Sequence, residues 1–164
     1  MLDLLPDLFD EFAEHLALVA APWRQFGAKR IFYGQVVTVS CFEDNSRVKE
    51  LLATPGMGRV LVVDGGGSQR KALVGDLIAQ SALENGWAGI VVYGAIRDAG
   101  TLATLNIGIQ ALGTVPIKTE RRGLGDTGVT LNLVGVTVNP GDWIYADDNG
   151  IAVSHEALPI IEQD

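Results

Sequence analysis

One cysteine and two histidines in 164 residues leave little room for thiol, imidazole or zinc chemistry. Cys41 has no partner for an internal disulfide, and the apolar stretch around it, VVTVSCF, marks a buried structural thiol rather than a nucleophile. His15 and His155 stand in segments without further ligand types, so neither a zinc site nor a Ser-His-Asp triad has support. Basic residues are scarce too. Twelve against twenty acidic ones give a formal charge of −8, which argues against a nucleic-acid backbone or an anionic membrane as the main partner. A protein partner with basic segments stays open. No apolar run is long enough to span a bilayer, and acids stand near the N-terminus where a signal peptide needs bases, so the cytoplasm is the expected location. Internal repeats, low-complexity tracts and dividing linkers are also missing.

What is present is apolar. Hydrophobic residues make up 48% of the chain, enough for one domain over residues 1–164 to bury a core without disulfides or structural metal. Val60 to Val63 and Gly89 to Tyr93 are continuous apolar runs between turn residues, the pattern of strands buried on both faces. Between them Leu73, Leu77, Ile78, Ala82 and Leu83 recur at helical spacing, and Asn85-Gly86 supplies the stop. Upstream, Leu4, Leu5, Leu8, Phe9, Phe12 and Ala13 form one helical face with Pro6 in the first turn. Ile31 to Phe42 reads as a strand, Glu43-Asp44-Asn45-Ser46 ends it, and a helix follows over Arg47 to Ala53.

The glycine cluster Gly65-Gly66-Gly67 with Ser68 suits a β-hairpin turn between Val60–Asp64 and Lys71–Val74. A short helix over Asp98 to Leu105 and β structure over Ile107 to Leu112 and Val115 to Ile117 lead into a charged, glycine-rich loop from Lys118 to Gly128. From Val129 to Val138 the apolar alternation changes phase beside Gly135, which predicts a bulge or a bend. Asn149-Gly150 predicts a hairpin joining Trp143–Ala146 to Ile151–Val153, and the tail ends acidic.

Two features bear on chemistry. VLVVDGGGS has neither the G-x-G-x-x-G spacing of a dinucleotide loop nor the G-K-[ST] of a P-loop, so it reads as a turn. Gly75-Asp76-Leu77-Ile78 opens a helix, and Arg97-Asp98 follows a buried strand, so both occupy the sheet edge where free helix N–H groups face an anion. One reading makes Asp76 and Asp98 helix caps and Arg97 a surface ion pair. The other has the amides of residues 75 to 78 and the Arg97 fork hold a carboxylate while Asp98 holds a hard divalent cation. For Arg97 and Asp98 to serve one pocket, the backbone must turn at Gly94-Ala95-Ile96.

CFEDN, RVLVVDGGG, GDLIAQSALENGWAGIVVYGAIRD, GIQALG and YADDNGIAV together resemble the RraA-like family. That family comprises regulators of ribonuclease E activity and 4-hydroxy-4-methyl-2-oxoglutarate/4-carboxy-4-hydroxy-2-oxoadipate aldolases. The resemblance implies an α/β fold, a swivelling β/β/α-type domain, assembled as a homotrimer or hexamer with sites between protomers. In the aldolase branch, the residues matching Gly75, Asp76, Leu77, Ile78 and Arg97 bind substrate, the residue matching Asp98 holds the metal, and the Arg-Asp pair is catalytic. The regulator branch loses the Gly-Asp and the aspartate of Arg-Asp, whereas this chain keeps all of them. In length and in CFEDN and GIQALG the chain is closer to the short regulators.

The resemblance therefore implies a Mg²⁺- or Mn²⁺-dependent aldolase releasing pyruvate from a 4-hydroxy-2-oxo acid, with oxaloacetate decarboxylation as a side activity. The alternative is a protein that binds a ribonuclease or helicase. The family's older label, demethylmenaquinone methyltransferase, lacks the glycine pattern of a methyl-donor site here. Lys29, Lys49, Lys71 and Lys118 all lie in polar or turn-rich segments, which disfavours a Schiff-base route. Glu43 and Asp44 are candidates for the general base.

Overall fold

The computed structural model describes residues 1–160. The acidic end of the tail, 161–164, lies outside them. In chain order the elements are α1 (Leu5–Phe12), β1 (Ala17–Leu18), β2 (Arg24–Gln25), β3 (Phe32–Ser40), α2 (Ser46–Leu52), β4 (Val60–Asp64), β5 (Ala72–Val74) and α3 (Asp76–Glu84). Then come β6 (Gly89–Ile96), α4 (Ala99–Leu102), β7 (Gly108–Thr114), β8 (Asp126–Thr127), β9 (Leu131–Leu133), β10 (Val136–Val138), β11 (Trp143–Asp147) and β12 (Gly150–Ser154). Among the described residues no helix is long and apolar enough to cross a membrane.

The main sheet runs β1-β12-β11-β3-β4-β6-β7-β2. Its centre, β3-β4-β6-β7, is parallel, because α2, α3 and α4 each carry the chain back across one face before the next strand begins. Nine-residue β3 joins two halves. Its first residues pair antiparallel with β11, and Val36 to Ser40 pair in parallel with β4. Alternation along the strands splits the core. Val39, Leu61, Val63, Ile90, Val92 and Ile109 pack under Val48, Leu52, Ile78, Ala82 and Leu102 of the helices. Val36, Val60, Val62 and Val91 face the opposite way, against Leu131, Leu133, Val138, Ile144 and Ile151. The result is helices, parallel sheet and a further β layer, as a β/β/α arrangement requires.

Helix α1 covers Tyr145 and Ala152 on the outside of the β11–β12 hairpin through Leu4, Leu5 and Leu8. No side chain of its own caps it. The buried carboxylate of Asp147 instead accepts from the amides of Leu4 and Leu5 at 2.8 and 2.9 Å, so the hairpin supplies the negative group that the helix start needs. Cys41 is buried as expected, and burial first, then the charges of Asp44 and Asp64, push its thiol up to about 12. It stays protonated and inert.

Four local expectations change. Strand β7 ends at Thr114, so Val115 to Ile117 add no strand. Val60–Asp64 and Lys71–Val74 do not form a hairpin: β4 pairs in parallel with the first half of β6, and β5 pairs in parallel with its second half. Gly65 and Gly67 both donate to the Tyr93 carbonyl, at 3.0 and 3.1 Å, so the glycine segment loops out and the chain rejoins the same neighbour without reversing. The phase change near Gly135 is more than a bulge or a bend. Val134 and Gly135 both have positive φ, 51° and 82°, and β9 and β10 pair as a tight hairpin around them. Gly94 does not turn the chain, since β6 continues to Ile96 with only a register shift between Val92 and Ala95.

Gly89 and Gly108 sit opposite each other on β6 and β7, and the buried Phe32 ring lies across both. A Cβ on Gly108 would come within 2.1 Å of the ring and one on Gly89 within 2.3 Å, so the two strands are glycine where the aromatic side chain needs their backbone. Gly108→Ala should therefore cost about 1–3 kcal/mol by overpacking. Adding Phe32→Leu should recover part of that loss in urea unfolding, and a purely additive double mutant would contradict the contact.

Candidate active site

The parallel strands deliver their C-terminal ends, and the helix starts that follow them, to one edge of the sheet. Gly75 is the N-cap of α3, and Asp76 is its first residue. Arg97 follows β6, and its amide donates to the Val74 carbonyl at 2.9 Å, which locks the two segments side by side. Asp98 then takes a left-handed conformation, φ 59° and ψ 38°, at the N-cap position of α4. The turn expected at Gly94 is made here. It breaks the strand alternation that would send Arg97 and Asp98 to opposite faces.

Asp98, at the N-cap position of α4, makes no side-chain bond to its own helix. The Asp98 Oδ2 accepts instead from the Asp76 amide at 2.9 Å, across 22 residues of sequence. Asp76 Oδ1 accepts from the Leu77 amide at 2.8 Å. Two of the four amides expected to receive a substrate are thus engaged within the chain. Arg97 Nε lies 3.8 Å from Asp98 Oδ2, and both side chains are about one-third exposed at 38% and 33%, so solvent weakens this pair. The arginine is held loosely enough to engage a further anion.

Gly75 makes the approach possible. A Cβ there would lie 2.7 Å from Asp98 Oδ2 and 3.2 Å from Arg97 Nε. Its φ of −129° is open to any residue, so the glycine is needed for space and not for backbone conformation.

These groups border a cleft of about 450 Å³ lined by Asn45, Gly75, Asp76, Leu77, Ile78, Arg97, Lys118, Thr119, Glu120 and Arg121, with Ala72 at its base. Gly75 to Ile78 and Arg97 were all expected from the sequence. Asp98 lies behind Gly75 and Asp76, outside the lining set. Asn45 and the run Lys118 to Arg121 were not expected there: the sequence marks that run only as a charged loop, and nothing local says which edge it meets. Arg97, Lys118 and Arg121 place three cationic side chains in one cleft of a chain with net charge −8. Asp76 and Glu120 line the same cleft, so its charged side chains carry a small positive excess that suits an anion.

Glu43 and Asp44 border a different cleft, with Phe42, Lys71, Glu120, Arg122 and Leu124. Burial works to raise the Glu43 pKa, but bonds from Arg70 and Ser68 more than offset it and hold the carboxyl below its usual range. Asp44 is buried and equally engaged. Neither is placed to take a proton in the Arg97 cleft. Lys118 is exposed at the cleft rim and lacks the apolar enclosure a Schiff-base lysine uses.

A family model, RraA-like (Aldolase/RraA), matches residues 5–153. The chain belongs to the Aldolase/RraA family. A Shewanella oneidensis protein provisionally named a 4-hydroxy-4-methyl-2-oxoglutarate aldolase is 58% identical over 158 residues, 96% of each chain. The structure of the RNA-processing inhibitor RraA from Thermus thermophilus superposes with a TM-score of 0.92 at 40% identity, covering 97% of this chain and 96% of that one. A Geobacillus kaustophilus structure described as an S-adenosylmethionine:2-dimethylmenaquinone methyltransferase gives a TM-score of 0.92 at 44% identity, covering 94% and 96%. The expected RraA-like α/β fold is thus the observed one.

The methyltransferase description finds no counterpart in the glycine segment of this RraA-like chain. Gly65 and Gly67 amides are bonded to Tyr93, and the Gly66 amide to Asp64 Oδ1 at 2.9 Å. All three donors that a cofactor loop would offer are consumed.

Gly75→Ala isolates the approach of Asp98. The clashing atoms are the ends of two partly exposed side chains, so stability should change by no more than about 1 kcal/mol, while Asp98 loses its bond to the Asp76 amide. Thermal melting and pyruvate release measured on the same sample should show a folded protein with activity largely lost. A fully active variant would contradict the packing.

Proposed function

We propose that the chain is a divalent-metal-dependent aldolase that cleaves 4-hydroxy-4-methyl-2-oxoglutarate and related 4-hydroxy-2-oxo acids to pyruvate, with oxaloacetate decarboxylation as a side activity. The observation that carries this reading is the juxtaposition of Arg97 and an Asp98 carboxylate anchored on the α3 amide, beside a cleft rich in cationic side chains. The names of relatives such as the Shewanella protein support it.

A hard cation fits the donor set in a limited way. Asp98 Oδ2 is fixed by the Asp76 amide, and Oδ1 accepts no hydrogen bond among the described residues. No group of three or more His, Cys, Asp or Glu side chains converges there among the described residues. One carboxylate oxygen suits Mg²⁺ or Mn²⁺ that keeps most of its waters and takes its remaining ligands from substrate oxygens. What the bound cation supplies is positive charge opposite the oxygen on which retro-aldol cleavage leaves an enolate.

The chain's own groups bind and orient the substrate. Arg97 binds the substrate carboxylate next to the keto group and adds charge where it develops. Gly75 to Ile78 form the floor on which that end of the substrate rests, with the Asp76 amide holding the Asp98 ligand in place. Oxaloacetate yields the same pyruvate enolate, which explains the side activity. The expected setting is a cytoplasmic homotrimer or hexamer, and Leu77, 81% exposed at the cleft, is an apolar side chain for a neighbouring protomer to cover.

EDTA should abolish pyruvate release from a panel of 4-hydroxy-2-oxo acids, and Mg²⁺ or Mn²⁺ should restore it. Asp98→Ala should lower kcat/KM by about 10³-fold, the scale of losing a charge aligned on the transition state. Arg97→Lys keeps the charge and loses the fork, so KM should rise roughly 10- to 100-fold with metal affinity unchanged. EDTA-insensitive turnover, or calorimetric metal binding unaltered in Asp98→Ala, would overturn the assignment.

A second reading, binding of a ribonuclease or helicase, draws on the likeness to the Thermus inhibitor and on the acidic surface. Such binding should weaken steeply with salt and survive Asp98→Ala. A pull-down across a salt series checks it.

A further inference from the structure

The wall of the Arg97 cleft formed by Thr119 to Arg121 belongs to a segment without sheet pairing from Thr119 to Gly125, while Lys118 before it is held by a bridge to Ala72 of β5. Its backbone groups need partners from elsewhere, and four consecutive residues after β3 supply them. On the cleft side, Asn45 Oδ1 accepts from Thr119 Oγ1 at 2.8 Å and from Arg121 Nε at 3.0 Å, while Asn45 Nδ2 donates to the Leu73 carbonyl at 3.1 Å. On the far side, Asp44 Oδ2 accepts from the amides of Arg122 and Leu124 at 2.8 and 3.2 Å. Ser46 Oγ accepts from the Gly123 amide at 3.0 Å and itself donates to Asp44 Oδ1 at 2.6 Å. Arg47 donates to the carbonyls of Gly123 and Gly125.

Asp44 is the hub. It is 2% exposed, and each carboxylate oxygen accepts two bonds, Oδ1 from the amide and hydroxyl of Ser46 and Oδ2 from the loop. It does not itself line the Arg97 cleft, although its neighbour Asn45 does.

We propose that Asp44 is a positioning residue, whose carboxylate clasps the loop from behind and so fixes the Thr119–Arg121 wall against the Arg97 edge. The inference rests on the reading of that cleft as the substrate site. A neutral acceptor would not serve. An asparagine has one acceptor oxygen, so its NH₂ group faces either the Arg122 and Leu124 amides or the Ser46 amide, and in each orientation a backbone donor of the clasp or of its Ser46 support loses its partner. Burial works to raise the Asp44 pKa, but bonds from Ser46, Arg122 and Leu124 overcome it and bring the carboxyl from 3.8 to about 2. The carboxyl is therefore charged at neutral pH.

Asp44→Asn tests this with two independent readouts. Arg121 and Arg122 are trypsin sites within the clasped loop, so limited proteolysis of the ligand-free protein reports the clasp without substrate. We expect cleavage there at least tenfold faster in the variant, with cooperative melting retained. In steady-state assays KM for the oxo acid should rise tenfold or more while kcat changes less than threefold, and calorimetric Mn²⁺ affinity at Asp98 should be unchanged. Ser46→Ala, which removes the Gly123 link and the hydroxyl bond to Asp44 Oδ1 but keeps both Asp44 bonds to the loop, should show the same pattern more weakly and keeps the test open if Asp44→Asn fails to fold. Equal trypsin cleavage of wild type and variants would overturn the clasp, and a released loop with unaltered KM would overturn its role at the cleft. Wild-type protein that turns over no oxo acid would defeat the functional reading instead, and the trypsin comparison would still decide the clasp.

Discussion

The parallel ladder of β6 is the constraint from which the rest of the molecule follows. Strand β6 bonds to β4 and then β5 along one side and to β7 along the other, and its residues from Gly89 to Ile96 are almost all buried. A parallel neighbour on each side demands a crossover before and after, and α3 and α4 are those crossovers. Their N-termini must therefore lie at the same edge as the end of β6. Residues 75–76 and 97–98, far apart in sequence, meet for that reason, and the Val74–Arg97 backbone bond fixes their relative height.

Within that frame one carboxylate is exchanged between helices. Asp98 starts α4 but serves α3, and the left-handed backbone at Asp98 together with the bare Cα of Gly75 makes the exchange sterically possible. The consequence is geometric. A carboxylate bonded to a helix N-terminal amide is fixed in direction, which a freely rotating surface aspartate does not offer. The surrounding cations then suit a substrate with more than one negative group.

The sequence made local structure legible and left long-range pairing open. The buried strands β4 and β6, helix α3 and the Asn149-Gly150 hairpin follow from apolar runs, helical spacing and turn chemistry, all of which act over a few residues. The pairing of β5 did not, because a glycine loop that rejoins the same neighbour has the same composition as one that reverses. Gly75, Asp76, Leu77, Ile78 and Arg97 were identified as bordering one site through sheet-edge logic and family resemblance. The 118–125 loop was visible only as charge and glycine. Its place depends on the side chains of residues 44 to 47, and no periodicity encodes a contact between segments some 75 residues apart. Asp98 as a cap for its own helix was the natural local reading, and tertiary structure overrode it.

The central claim is that Asp98, anchored by the Asp76 amide, holds the metal while Arg97 holds the substrate. Crystals grown with Mn²⁺ and oxalate, which mimics the pyruvate enolate, test it most directly through an anomalous difference map at the manganese edge. The account predicts a single manganese peak reached by Asp98 Oδ1 directly or through one bound water, with oxalate bridging the ion to the Arg97 guanidinium. A manganese peak elsewhere on the chain, or oxalate bound away from Arg97, would contradict it.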